Sequence, residues 1–245
     1  MSRSAAILLP GNMCDARLWS GGGEALRTML ERRATGWSDA DLTRDATIAA
    51  MATRALAASD GPLLTIGFSM GAIVAVQMAL QAPQRIAGLV LAGYNATADL
   101  PKRAAIRPRQ QAEVRGGGLE RVVVEELKPN YLAESNRRDA DLLALLRDMG
   151  MGLGEEVFVR QSEALRTRGD QRPALGQLTV PVLYLCGLED GLCPPDWHRE
   201  WATMTRSATL ELVAGAGHML PLEQPESFAE KIGLWLDDHR EELQQ

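Results

Sequence analysis

The sequence predicts an α/β fold: a mostly parallel sheet with helices on both faces, interrupted once by a block of helices. The first observation is the order of its apolar runs. Short runs of strand length alternate with longer stretches at helical spacing, giving βαβαβ from Ala5 to Gly93 with short connections. The second is where this rhythm stops. From about Asp99 charge becomes dense, and apolar residues recur only at helical spacing. The third is where it resumes, after Leu178, with two more strand–helix pairs. At 245 residues and 46% hydrophobic, the chain can build one large core with an insertion. The expected division is a core of residues 1–98 and 174–245 and a helical insertion of residues 99–173.

Each element has its own reason. Ala5 to Leu9 is apolar and is stopped by Pro10-Gly11, so it reads as a buried strand. After the loop from Gly11 to Asp15, a helix is expected over Gly23 to Leu30 and a second strand over Arg33 to Trp37. Asp45 to Ala58 is rich in alanine and other helix formers. Asp60-Gly61-Pro62 is a turn into the strand Pro62 to Ile66. Ala72 to Leu80 reads as a helix, and Ile86 to Gly93 as another buried strand. Within the insertion, Leu142, Leu143, Leu145, Leu146 and Met149 recur at helical spacing, and Gly116-Gly117-Gly118 marks a flexible joint or a helix break. Met149 to Gly154 reads as an interhelical turn with core methionines, or as the lining of a pliable pocket. Val180 to Cys186 is a strand with its proline near the start, where a missing N–H is tolerated. A loop runs to Pro195, then come a helix over Trp197 to Met204 and a strand over Ala208 to Val213. The last helix begins at Gln224 or Pro225 and runs past Trp235.

The chemistry begins at Gly67-Phe68-Ser69-Met70-Gly71. This is G-x-S-x-G between a strand and a helix. A serine at so sharp a turn stands clear of the sheet, and flanking glycines leave room where a Cβ would collide. The helix that follows aims its N-terminal N–H groups and the positive end of its dipole at the serine. A serine hydroxyl is nearly inert at neutral pH, so it needs a base, and the base needs a group to orient it.

In a parallel sheet such groups gather on loops beyond the C-terminal ends of strands. Asp190 follows the strand ending at Cys186, and His218 follows the strand ending at Val213. Of the three histidines, His198 falls in a helix and His239 in the charged C-terminal helix, so both read as solvated or structural. His218 sits behind the small residues Gly215-Ala216-Gly217. For the acid, Glu189 competes with Asp190, and Asp15 and Glu223 are weaker alternatives. Asp190 is preferred because it lies four residues past the strand, ahead of the Gly191 to Pro194 turn. Two backbone donors are expected to face the developing oxyanion. One is the N–H of Met70, the other that of Asn12, with Met13 its close rival.

A net charge of −6 argues against a nucleic-acid partner. No run of about 18 apolar residues is present, so no membrane span is expected. The apolar part of Met1 to Pro10 is too short for a signal peptide. Cys14, Cys186 and Cys193 form no metal-ligand or C-x-x-C spacing. An odd, low cysteine count suits a reducing, cytoplasmic setting.

With these residues in place, the chain resembles the α/β-hydrolase superfamily, in its compact esterase and enol-lactonase-like group with a helical cap. The matching stretches are Leu8 to Trp19, Gly67 to Gly71, Gly187 to Asp190 with Pro194, and Gly215 to Pro225. They cover both halves of the core but not the cap. Many relatives carry His-Gly where this chain has Pro10-Gly11, so the hydrogen bonding of that loop must differ. The family's usual N-terminal β-hairpin is not expected here, since Ala5 to Leu9 reads as the strand before the oxyanion loop. The resemblance implies the α/β-hydrolase fold and a serine hydrolase of an ester, lactone or thioester. Ser69 would be the nucleophile, His218 the base and Asp190 its orienting acid, with no metal or organic cofactor and a small-molecule acyl substrate. The same residues would also serve a hydrolase of C–C bonds in ring-fission products, and a hydrolase fold can also serve as a non-catalytic ligand-binding protein.

Overall fold

The computed structural model describes residues 4–21, 23–127 and 131–244. Six strands form one sheet: β1 (Ala5–Leu9), β2 (Trp37–Asp39), β3 (Leu63–Phe68), β4 (Ile86–Ala92), β5 (Val182–Gly187) and β6 (Ala208–Val213). Their order is β2-β1-β3-β4-β5-β6, and every neighbouring pair is parallel. Parallel strands need crossovers, and helices supply them. In the first half these are α1 (Arg17–Ser20), α2 (Ala25–Arg33), α3 (Ile48–Ala57) and α4 (Met70–Gln81). Between β4 and β5 come α5 (Pro101–Arg115), α6 (Leu119–Arg121), α7 (Ala140–Leu153), α8 (Glu155–Arg166) and α9 (Arg172–Leu175). The second half adds α10 (Pro195–Met204), α11 (Leu220–Glu223) and α12 (Pro225–Asp238). Among the described residues no helix is long and apolar enough to cross a membrane.

Strand side chains alternate between the two faces, and the core divides accordingly. Leu8, Ile66, Phe68, Val90 and Leu185 pack on one face with α1, α2 and α12. Ile7, Leu9, Leu89, Leu91 and Tyr184 pack on the other with α3, α4 and α10. Covered on both sides, β3 and β5 are buried at every position, which is why their sequences are largely apolar, and the one hydroxyl in β3, that of Thr65, donates to the carbonyl of Gly88. The α/β architecture is the one expected.

The helical segment between β4 and β5 has its own small core, in which Val114, Leu119, Val122, Val123, Val157 and Phe158 surround Met13. Met13 belongs to the loop after β1, so this core is rooted in the sheet. The triple glycine ends α5 as expected: the N–H groups of Gly116 and Gly118 both return to the carbonyl of Glu113. Past α6 the chain continues as a π-helical turn over Val122–Leu127.

Two local expectations are corrected. The second strand lies at Trp37–Asp39, not Arg33 to Trp37, because α2 continues through Arg33. Leu26, Met29 and Leu30 bury one face of α2, and the helix extends one turn beyond them. Met149 to Leu153 is the last turn of α7, not an interhelical turn, and the chain reverses only at Gly154, where φ is 83°. Met149 is buried as a core methionine.

His198 joins the two halves of the sheet. It is fully buried in α10, where its Nε2 accepts from the N–H of Tyr94, just past β4, at 2.9 Å. Its Nδ1 therefore carries the proton and donates to the carbonyl of Pro194 at 3.2 Å. Burial pushes the imidazole down from 6.5 to about 4, with the Pro194 bond and the Asp190 charge acting the other way. The folded value lies below the unfolded one, so the unfolded chain takes up the proton first as the pH falls. This contribution is whole above pH 6.5 and is lost as the pH drops towards 4. It is worth on the order of 3 kcal/mol. Denaturant titrations of wild type and His198→Gln should therefore diverge at neutral pH and converge near pH 4. Parallel pH profiles for the two proteins would contradict the assignment.

Candidate active site

Ser69 is the single residue between β3 and α4. Its φ of 53° and ψ of −113° lie where non-glycine residues are rare. A conformation of this kind costs about 1–3 kcal/mol and persists only where its surroundings impose it. Here the Ser69 N–H donates to Ala92 at the end of β4, at 2.8 Å. Its carbonyl accepts from Ala72 at 3.0 Å and from Ile73 at 3.3 Å. The flanking glycines permit the close approach. A Cβ on Gly71 would stand 1.9 Å from the carbonyl oxygen of Leu9, and one on Gly67 would stand 2.6 Å from the Cα of Ala72.

The Ser69 hydroxyl meets His218 Nε2 at 3.0 Å, and His218 Nδ1 meets Asp190 Oδ2 at 2.8 Å. An ionised carboxylate only accepts, so Nδ1 bears the proton and the lone pair of Nε2 faces Ser69. The other Asp190 oxygen accepts from the N–H groups of Leu192 and Cys193, both at 2.8 Å. His218 and Asp190 are 2% and 3% exposed, so water does not compete for these bonds. Burial alone would raise the Asp190 carboxyl. The charge and hydrogen bond of His218, with the two amides, outweigh it and hold the carboxyl below its ordinary value. Phe68 and Tyr131 flank the imidazole at ring distances of 5.1 and 5.5 Å.

The rival acids lie elsewhere. Glu189 is exposed and accepts from the N–H of Glu134, and Asp15 pairs with Arg17. Glu223 serves the histidine through the backbone. One oxygen accepts from Gly217 N–H at 2.9 Å, and the other from Ala133 N–H at 2.7 Å and Asn136 Nδ2 at 3.0 Å. The carboxylate thus ties the residue before His218 to the 131–136 segment. Tyr131 completes the tie, its carbonyl accepting from the N–H of His218 at 2.7 Å.

The loop after β1 treats the N–H groups of Asn12 and Met13 differently. Met13 also has a positive φ of 53°, and its N–H donates to Gln161 Oε1 at 2.8 Å. The same oxygen accepts from Asn12 Nδ2 at 3.1 Å, and Gln161 Nε2 donates to the carbonyl of Leu42. The Met13 N–H is therefore engaged, whereas that of Asn12 donates to no protein group among the described residues. The Met70 N–H, at the first position of α4, has no partner within the helix. Asn12, Ser69 and Met70 line one cavity of about 250 Å³.

Gln161 was not among the sequence candidates. Its signal is its position: Val157, Phe158, Ala164 and Leu165 share its face of α8, and it is 1% exposed. A polar residue on an apolar helical face needs a buried partner.

Among the described residues, Asp190, Cys193 and His218 are the group close enough to hold a metal. The set does not fit one. Asp190 and His218 are already bonded to each other, and burial, then the Asp190 charge, pushes the Cys193 thiol well up, so it stays protonated.

The Glu223 clamp is testable without a substrate. Charge-assisted hydrogen bonds are worth about 1.5–3 kcal/mol each. Glu223→Gln should lower unfolding free energy by about that much and slow the reaction of Ser69 with an organophosphorus probe roughly tenfold. Unchanged labelling in a destabilised protein would mean that the clamp supports the fold but does not position His218.

Comparison with known proteins identifies the family. A sequence model of the alpha/beta hydrolase family matches residues 6–231. The chain is 30% identical over 201 residues to a pimeloyl-[acyl-carrier protein] methyl ester esterase of Serratia marcescens, covering 78% of this chain and 77% of that one. It is 24% identical to the biotin biosynthesis bifunctional protein BioHC of Cellvibrio japonicus. That match takes in 95% of this chain and 47% of the other, so the chain spans about half of that relative's length. A thermophilic esterase from Thermogutta terrifontis superposes with a TM-score of 0.86 at 25% identity, over 97% of this chain and 90% of that one. An enol-lactonase from Burkholderia xenovorans LB400 shares the fold, with a TM-score of 0.84 at 20% identity over 97% and 92%. The chain belongs to the alpha/beta hydrolase family and is an α/β-fold hydrolase.

Proposed function

We propose that this hydrolase cleaves a carboxylic ester, a lactone or a thioester through an acyl-enzyme on Ser69. The observation that carries the reading is the continuous chain of hydrogen bonds from Asp190 through His218 to the Ser69 hydroxyl. It ends at a cavity toward which the N–H groups of Asn12 and Met70 are unengaged. As Oγ attacks the carbonyl carbon, His218 Nε2 takes its proton and the π electrons move onto the carbonyl oxygen. The N–H groups of Asn12 and Met70 stabilise that oxyanion; losing one such donor costs about 3–4 kcal/mol. When the intermediate collapses, the leaving group takes the proton from Nε2. Water then attacks the acyl carbon, its proton passing to Nε2 and on to Ser69 as the acid departs. Asp190 stays ionised, fixes the tautomer and stabilises the imidazolium.

Residues 99–173 act as the cap. Ile106, Gln110 and Leu127 bring that segment to the same cavity, where it limits substrate size. The names of the Serratia and Thermogutta relatives support an ester as the substrate. A cytoplasmic setting suits three buried cysteines that form no disulfide among the described residues.

The test is a panel of p-nitrophenyl esters, lactones, acyl-CoA thioesters and a ring-fission C–C substrate, with fluorophosphonate labelling alongside. Ser69→Ala and His218→Ala should each lower kcat at least about 10⁴-fold, and the double variant should be little worse than either. Additive losses would mean that the two do not act as a unit. Asp190→Asn should cost about 10⁴-fold, against a few-fold at most for Glu189→Gln. Folded wild type that neither labels at Ser69 nor turns over any substrate would leave a ligand-binding protein as the better reading.

A further inference from the structure

The cavity at Ser69 has a cationic wall in a chain whose net charge is −6. Arg103, Arg107 and Arg168 line it together with Glu126. The acids nearby are already committed. The carboxylate side chain of Asp99 is 1% exposed and serves two of the arginines, Arg107 at 2.6 Å and Arg168 at 2.9 Å. Glu126 accepts from Arg109 at 2.5 Å and from Arg121 at 2.7 Å. Arg103 has no carboxylate partner among the described residues; its contact is a long one, 3.5 Å, to the carbonyl of Leu192. A guanidinium on the open surface would be satisfied by water. This one is half-buried on the wall of the cavity that holds the nucleophile.

The field of these groups reaches the site. Burial pushes the Tyr131 phenol up to about 12, and the charges of Arg107 and Arg103 act against that rise. Tyr131 is the ring packed on His218. At Cys193, beside Asp190, burial again dominates, and the charges of Arg103 and Arg168 oppose it.

We infer that the substrate is anionic: an ester or lactone carrying a free carboxylate remote from the scissile bond, which Arg103 binds and Arg107 supports. This rests on the acyl-transfer reading of Ser69 and narrows its substrate class. A guanidinium offers a planar fork that matches a carboxylate. With Asp99 and Glu126 already paired, an incoming carboxylate meets uncompensated positive charge rather than repulsion. The cavity volume of about 250 Å³ admits a short diacid half-ester.

The experiment separates binding from turnover. Ser69→Ala protein is titrated calorimetrically with monomethyl glutarate and with methyl valerate, which places or omits the carboxylate on the acyl side. It is titrated also with 4-acetoxybenzoate and phenyl acetate, which do so on the leaving-group side. In at least one pair the charged member should bind ten times more tightly or better, and more weakly as salt rises. Adding Arg103→Ala should reduce that ratio at least fivefold, while Arg103→Lys keeps part of it. With Ser69 intact, the ratio of kcat/KM for the same pair should follow. Charged and neutral members binding alike in both pairs, or a ratio indifferent to Arg103, overturns the inference. If neutral esters are still hydrolysed in a Ser69-dependent way, the acyl-transfer reading survives that result. Tight carboxylate binding by a protein whose Ser69 neither labels nor turns over would sink the acyl-transfer reading and overturn the substrate class that rests on it, leaving Arg103 as a carboxylate-binding residue only.

Discussion

The site depends on one backbone constraint, the passage from β3 into α4 through Ser69 alone. A strand that becomes a helix in one residue must place that residue at positive φ, and the cost is met by the sheet around it. The bond from Ser69 N–H to Ala92 draws its amide to β4, while the helix end passes so close to β1 that Gly71 admits no side chain. The hydroxyl is thereby fixed relative to three adjacent strands. His218 and Asp190 come from beyond β6 and β5 in the same sheet, and parallel strands bring both loops to the same edge as the serine.

The helical segment is more than a cover over that edge. Met13, in the loop after β1, is packed into the segment's own small core, and Gln161 of α8 holds the Met13 N–H and the Asn12 side chain. On the other side, Ala133 and Asn136 bond to Glu223, which also holds Gly217. The two loops that flank Ser69 are each clamped by a buried or half-buried polar group reaching across the boundary between sheet and helices. Such bonds are strong because few waters compete for them.

Much of this was legible in the sequence, and the reason is locality. Ser69, Asp190 and His218 each announce themselves by a position just past an apolar run, and strand ends in a parallel sheet share an edge. What was not legible came from contacts distant in sequence. Nothing near Arg33 says that α2 extends another turn, which moves β2 to Trp37–Asp39. Met149 to Leu153 is glycine-rich, yet it stays helical because Gly150 packs against Val123. Gln161 finds its partners 148 and 149 residues away, beyond any spacing rule. Glu223 was visible only as a rival acid, since its bonds run to backbone groups that no motif records.

The bond between Ser69 and His218 closes a loop of 149 residues, and that from Asn12 to Gln161 is as long. Contacts of such separation carry a large loop-closure cost and form late, whereas helices are built from neighbours and form early. During refolding from denaturant, helical content therefore returns ahead of a reactive Ser69. Ser69 thus acts as a clock for folding: its hydrogen bond to His218 is in place only once the first strand, the helical segment and the last loops have all met.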